Sequence, residues 1–185
     1  MKRTFIAVKI EPGEALVNVL NECRQELAGE RISWVQPQNI HITLKFLGDT
    51  REGQIQPISG TIRKVAGEHR SFDLKFRNLG VFRNLRNPRV LWVGIERNPV
   101  MEEIKHDLDQ HLADFGYEPE NREFRPHLTL GRIKFLKDLT GLEHLILRYS
   151  DQEFQVSGIR EIIYYESILK PYGPEYTAIG RMSLA

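Results

Sequence analysis

The chain carries one four-residue pattern twice, His-Ile-Thr-Leu at 41–44 and His-Leu-Thr-Leu at 127–130. At the chain's own frequencies of His, Thr and Leu, one such match is expected about 0.02 times by chance. The repeat extends well beyond the four residues. Phe5 to His41 spans 36 residues and so does Leu91 to His127, so a strand, a helix, a glycine and a histidine-bearing strand recur at an offset of 86. Duplicated strand-helix-strand units build two similar lobes about a pseudo-two-fold axis, and equivalent positions meet where the lobes face each other. His41 and His127 are expected to be such a pair, within one domain spanning 1–185.

Local patterning supplies the elements. Phe5 to Ile10 reads as a strand closed by Glu11-Pro12-Gly13, and Leu16, Leu20, Cys23 and Leu27 then recur at helical spacing up to Gly29. A second helix is expected from about Gln54 to Val65, a strand around Phe72 to Phe76, then an Arg-rich connection and the strand RVLWVGIE. Met101, Ile104, Leu108, Leu112 and Phe115 form the matching helical stripe, ended by Gly116. The stretch from Asp151 onward alternates like a hairpin turning at Lys170-Pro171-Tyr172-Gly173-Pro174.

Charge and cysteine content limit the function classes. Lys and Arg total 26 against 25 Asp and Glu, so no global field attracts nucleic acid as a polybasic coat protein would. Hydrophobic residues at 41% with 28% charged exclude a disordered chain. The one cysteine has no partner within the chain, there is no secretory h-region, and no run of about 18 apolar residues occurs. A reduced, cytoplasmic protein without a membrane partner is expected.

Within each motif a strand's period of two aims the imidazole and the threonine hydroxyl at one spot. Two histidines across a cleft suit a reaction needing one general base and one general acid, because an imidazole titrates near neutrality. Two hydroxyls can donate to non-bridging phosphoryl oxygens as charge builds on them. The substrate this demands is a phosphodiester. A cyclic phosphate fits best, since in-line attack sets water and leaving oxygen on opposite sides of phosphorus. No metal ligands accompany the pair: two histidines without a nearby Cys or carboxylate leave a tetrahedral zinc set incomplete.

The paired His-x-Thr-Leu motifs, their HITLKFLG and RPHLTLGR surroundings, the RVLWVGI strand and the closing GPEY segment resemble the RNA 2′,3′-cyclic phosphodiesterases of the two-histidine phosphoesterase superfamily, also called LigT-like or 2′-5′ RNA ligases. The resemblance covers essentially the whole chain. It implies a bilobal α+β fold, each lobe an antiparallel sheet with packed helices, and an active site in the central cleft. It implies metal-independent, cofactor-free hydrolysis of 2′,3′-cyclic phosphate RNA ends to 2′-phosphates, on RNA including tRNA fragments or on cyclic nucleotides, by a monomer. His41 is then the proton donor, His127 the proton acceptor, and Thr43 and Thr129 phosphate ligands. Arg132 matches a family arginine near the phosphate, but strict parity from His127 turns it away unless Gly131 hosts a bulge. The alternatives are 2′-5′ ligation as the main activity and a non-catalytic RNA- or nucleotide-binding module.

The remaining candidates have plainer readings. His106 and His111 are expected on a helix surface, and His69 and His144 as solvated side chains. Cys23 is expected to be a packed thiol. Phe46 shares parity with Ile42 and Leu44 and is expected in the core, while Trp34 is open between core and cleft. Lys75, Arg77, Arg83, Arg86 and Arg89 around Phe76 and Phe82 form a basic strip that either guides RNA or is a solvated loop.

Overall fold

The structure is a computed structural model that describes residues 1–171 and 173–185. Nine strands and four α-helices occur among the described residues, in the order β1 (Lys2–Lys9), α1 (Glu14–Glu26), β2 (Arg31–Trp34), β3 (His41–Thr50), α2 (Glu52–Glu68), β4 (Phe72–Phe82), β5 (Val90–Ile95), α3 (Pro99–Leu112), β6 (His127–Phe135), α4 (Thr140–Arg148), β7 (Glu153–Ile159), β8 (Glu161–Lys170) and β9 (Gly173–Ser183). Tyr172, at the expected hairpin turn, lies outside the described residues; β8 ends at Lys170 and β9 begins at Gly173.

The strands form two antiparallel sheets, one ordered β3-β1-β8-β9 and the other β2-β6-β5-β4-β7. The repeat is visible in this order. At an offset of 86, β1, α1 and β3 correspond to β5, α3 and β6, and β4 corresponds to β8, so each sheet contains the same three neighbouring strands. The fold is therefore α+β and bilobal. One element departs from the expected closing hairpin: β7 pairs with β4 in the second sheet, and the chain changes sheets at Arg160.

Helical stripes lock the lobes together. α1 leaves the first sheet yet packs on β7 and α4, while α3 leaves the second sheet and packs on α2 and β3. Leu16, Val19, Leu20 and Cys23 of α1 and Met101, Ile104, Leu108 and Leu112 of α3 are buried, one apolar face per helix. Asn98 caps α3 by accepting from the Met101 amide, and Gly116 ends the following turn at φ 87°, a left-handed conformation that glycine adopts without cost. Ile6, Val8, Ile162 and Tyr164 bury one face of the first sheet. Its other face carries Phe5, Ala7, Ile163 and Tyr165, with Tyr176 packed against them. That second face lines the space between the lobes.

Candidate active site

Both histidines open their strands, and each is held by the carbonyl two residues earlier. His41 Nδ1 bonds the Asn39 carbonyl at 2.6 Å, and His127 Nδ1 bonds the Arg125 carbonyl at 2.9 Å. A carbonyl only accepts, so Nδ1 carries the proton in both rings and Nε2 is left for chemistry. The same local device thus sets the same tautomer twice. Ile42, Leu44, Leu128 and Leu130 are buried on the opposite face, which turns His41, Thr43, His127 and Thr129 into one cleft. The cleft has a volume of about 1080 Å³ and Arg132 also lines it.

Aromatic rings surround the imidazoles. His41 sits between Phe5, at 5.1 Å, and the edge of Tyr176, at 5.2 Å, while His127 meets Phe82 edge-on at 4.5 Å. Burial pushes both imidazoles below their usual titration range; the carbonyl bonds pull back, and the Arg132 charge lowers both further. The effect of His127 on His41 adds to this, as expected of two groups sharing one site.

Each motif strand carries a β-bulge at the same place. Ala7 pairs with Thr43 and Ile6 with Lys45, so Leu44 is the extra residue; Trp92 pairs with Thr129 and Leu91 with Gly131, so Leu130 is the extra one. The two bulges lie 86 residues apart. The expected bulge near Gly131 is therefore present and Arg132 faces the cleft. A β-carbon on Gly131 would come within 2.8 Å of the Ile32 side chain and 3.0 Å of the Trp34 ring, so glycine lets β2 and Trp34 close over this bulge.

The bulge in β3 overturns the reading of Phe46. Past Leu44 the parity reverses, so Lys45 turns inward, 3% exposed, and Phe46 turns out onto the cleft wall, 60% exposed. The buried Lys45 ammonium donates to Asp109 Oδ1 at 2.5 Å and to the Glu118 carbonyl at 2.9 Å. Lys105 donates to Asp109 Oδ2 at 2.5 Å and lies 5.8 Å from the Phe124 ring centre. Burial opposes ionisation of Asp109, but hydrogen bonds from Lys105 and Lys45 outweigh it and hold the carboxyl below its usual range. This cluster ties β3 to α3 and to the segment leading into His127. Lys105 and Asp109 are an i,i+4 pair on α3, but Lys45 lies 64 residues from Asp109, and no local pattern signals that contact.

Other candidates resolve in place. His69 is not solvated: its Nε2 bonds Asp107 at 2.8 Å, because the end of α2 packs against α3. His144 and His106 are exposed, and His111 is half-buried with Nδ1 on the Asp107 carbonyl. Cys23 is fully buried and its thiol is pushed up to about 12 by burial, leaving little reactive thiolate. In the basic strip, Lys75 and Arg77 form ion pairs with Glu96, Arg77 pairs also with Asp151, and Phe76 is fully buried. Arg83, Arg86 and Arg89 are exposed. Among the described residues no three His, Cys, Asp or Glu side chains are placed so that they could hold a metal ion. No helix among them is long and apolar enough to cross a membrane.

Two histidine-threonine strands facing across one cleft of a duplicated α+β fold define the class of two-histidine proteins. The family of LigT-like phosphoesterases matches the chain at residues 7–92 and again at 93–176, and the chain belongs to that family. It is 33% identical to an RNA 2′,3′-cyclic phosphodiesterase of Methanothermobacter thermautotrophicus over 95% of each chain. It is likewise 33% identical to an RNA 2′,3′-cyclic phosphodiesterase of Thermotoga maritima, over 96% of this chain and 92% of the relative. Among solved structures, TT0787 of Thermus thermophilus superposes with a TM-score of 0.79 at 25% identity, over 98% of this chain and 97% of that one. E. coli LigT complexed with 3′-AMP shares the fold, with a TM-score of 0.71 at 21% identity over 100% and 98% of the two chains.

Proposed function

We infer that this protein hydrolyses the 2′,3′-cyclic phosphate at RNA ends to a 2′-phosphate, without a metal ion or organic cofactor. The observation that carries the reading is the pair of imidazoles sharing one cleft, each with Nδ1 committed to a carbonyl and Nε2 without a hydrogen bond among the described residues. The relatives named for this activity, at 33% identity over nearly the whole chain, support the same chemistry.

In this reading His127 Nε2, neutral, accepts a proton from water as the oxygen attacks phosphorus. His41 Nε2, protonated, gives its proton to the departing 3′ oxygen. One P–O bond forms, the P–O3′ bond breaks, and the proton balance closes with His127 charged and His41 neutral. The Thr43 and Thr129 hydroxyls and the Arg132 guanidinium bind the non-bridging oxygens, where charge accumulates in the transition state. The whole chain acts as one domain made of two duplicated halves, since each half contributes one histidine. It works as a monomer in the cytoplasm on RNA ends, tRNA fragments among them, because a single chain supplies both halves of the site.

The test is incubation with an oligonucleotide ending in a 2′,3′-cyclic phosphate, with the product followed by phosphorus NMR. The expected product is the 2′-phosphate alone. Absence of turnover, or a 3′-phosphate product, rejects the reading.

A further inference from the structure

The two motif strands repeat at an offset of 86, but the residues that aim their histidines do not. Asn39, whose carbonyl holds His41, has Arg125 as its counterpart, and Ile40 has Pro126. The two tethers are therefore built differently.

On the His127 side the stiffness is covalent. Pro126 has no N–H to bond, and its ring disfavours helical backbone at Arg125. The Arg125 side chain is 71% exposed and pairs with Glu123, two residues away, so that pair adds no long-range tie.

On the His41 side the tether is held by hydrogen bonds. The peptide between Asn39 and Ile40 accepts from His41 Nδ1 through its oxygen at 2.6 Å and donates through its N–H to the Pro37 carbonyl at 3.2 Å. The Asn39 amide donates to the Gln36 carbonyl at 2.8 Å, and the Ile10 amide anchors the Ile40 carbonyl at 3.3 Å. One more bond crosses from this turn to the β8–β9 hairpin: Asn39 Nδ2 donates to the Pro174 carbonyl at 2.9 Å, 135 residues away in sequence. Two residues past Pro174, Tyr176 lies edge-on to His41 at 5.2 Å. Asn39, Pro174 and Tyr176 all line the cleft. A single side-chain amide thus fixes, relative to each other, the carbonyl that orients the imidazole and the ring that walls it.

We propose that Asn39 is a positioning residue for the proton donor: by anchoring its turn to the β8–β9 hairpin, its side chain holds the carbonyl that orients His41, and with it the direction of Nε2. The proposal rests on the phosphodiesterase reading with His41 as donor, and deepens it. Folding needs this bond little, because it is exposed and water competes for both partners. Proton transfer depends on it more, since a donor must stay within hydrogen-bond reach of the leaving oxygen and small misplacements slow an oriented reaction disproportionately. Water can satisfy the Pro174 carbonyl in place of Asn39, but it cannot tie the turn to the hairpin. The dependence is one-sided, because the Arg125 side chain reaches only to Glu123 among the described residues.

The experiment measures kcat and KM for the wild type, Asn39→Ala, His41→Ala and His127→Ala on two substrates. One is a nucleoside 2′,3′-cyclic phosphate; the other carries sulfur in place of the bridging 3′ oxygen, so that a thiolate leaves without needing a proton. Asn39→Ala is expected to lower kcat about 3- to 10-fold on the oxygen substrate, with KM little changed. On the sulfur substrate Asn39→Ala is expected to approach the wild type, as His41→Ala does. Circular dichroism checks that the variants are folded. No loss in Asn39→Ala, a loss carried by KM, or an equal loss on both substrates while His41→Ala is rescued overturns the positioning role and leaves the phosphodiesterase reading intact. Rescue of His127→Ala in place of His41→Ala overturns the donor assignment and this proposal with it. Failure of the wild type to hydrolyse either compound rejects the phosphodiesterase reading itself.

Discussion

Asp109→Asn removes the one carboxylate shared by two buried ammonium groups, and its cost follows from their surroundings. The Lys45 and Lys105 side chains are 3% and 6% exposed and Asp109 is 11% exposed, so solvent screens none of the three effectively. Asparagine keeps the shape and offers an oxygen, but it leaves Lys45 without a carboxylate and Lys105 with only the half-exposed Glu120 carboxylate at 3.7 Å. Breaking a buried pair by removing one partner costs about 3 to 5 kcal/mol. For a domain of this size that lowers Tm by roughly 6 to 20 °C. The deficit has a pH signature, because the Asp109 carboxyl is held below its usual range: the wild type keeps this advantage above the ordinary carboxylate value and loses it as pH falls. Thermal unfolding followed by circular dichroism from neutral to acid pH is expected to show a large deficit near pH 7 that narrows as pH falls and Asp109 of the wild type takes up its proton. A triple variant, Lys45→Met with Lys105→Met and Asp109→Leu, is expected to recover most of the stability, since well-packed apolar residues replace buried ion pairs at little cost. A Tm for Asp109→Asn within about 2 °C of wild type, or a deficit independent of pH, refutes the reasoning.

Replacing either His41 or His127 by Ala is expected to lower turnover by about 10² to 10⁴-fold with folding retained, and the double variant to lose little more. A substrate whose leaving group needs no proton should rescue His41→Ala and not His127→Ala; the opposite pattern exchanges their roles. Since burial lowers both imidazoles, the folded state favours their neutral forms and the unfolded chain binds more protons around and below the ordinary value of about 6.5. Their contribution is therefore intact above that value and lost as pH falls through it, which urea unfolding at stepped pH reads. By the same shifts the bell-shaped kcat/KM profile of the free enzyme should lie on the acid side of about pH 6.5, and a single-limbed or alkaline-centred profile contradicts the pairing. Chelators are expected to leave turnover unchanged, and activity lost in EDTA and restored by zinc or magnesium rejects the metal-free reading.

What the sequence determined by itself is whatever repeats with a short local period. The apolar stripes of α1 and α3, the alternation around His41 and His127, and the offset of 86 between them are all readable along the chain. Those patterns were enough to bring the two imidazoles into one cleft, because a duplicated unit closes on itself about a pseudo-two-fold axis. Tertiary structure decided the rest, and the two bulges show why. The extra residue at Leu44 or Leu130 is defined by the hydrogen bonds of a partner strand dozens of residues away, so no run of β3 or β6 alone says where parity reverses. That reversal sends Lys45 into the core toward Asp109, Phe46 onto the cleft wall and Arg132 toward the histidines. The place of β7 in the second sheet and the contact of His69 with Asp107 are tertiary for a related reason, since both depend on which faces the packed elements present to each other. Period is a property of one strand, whereas register belongs to a pair.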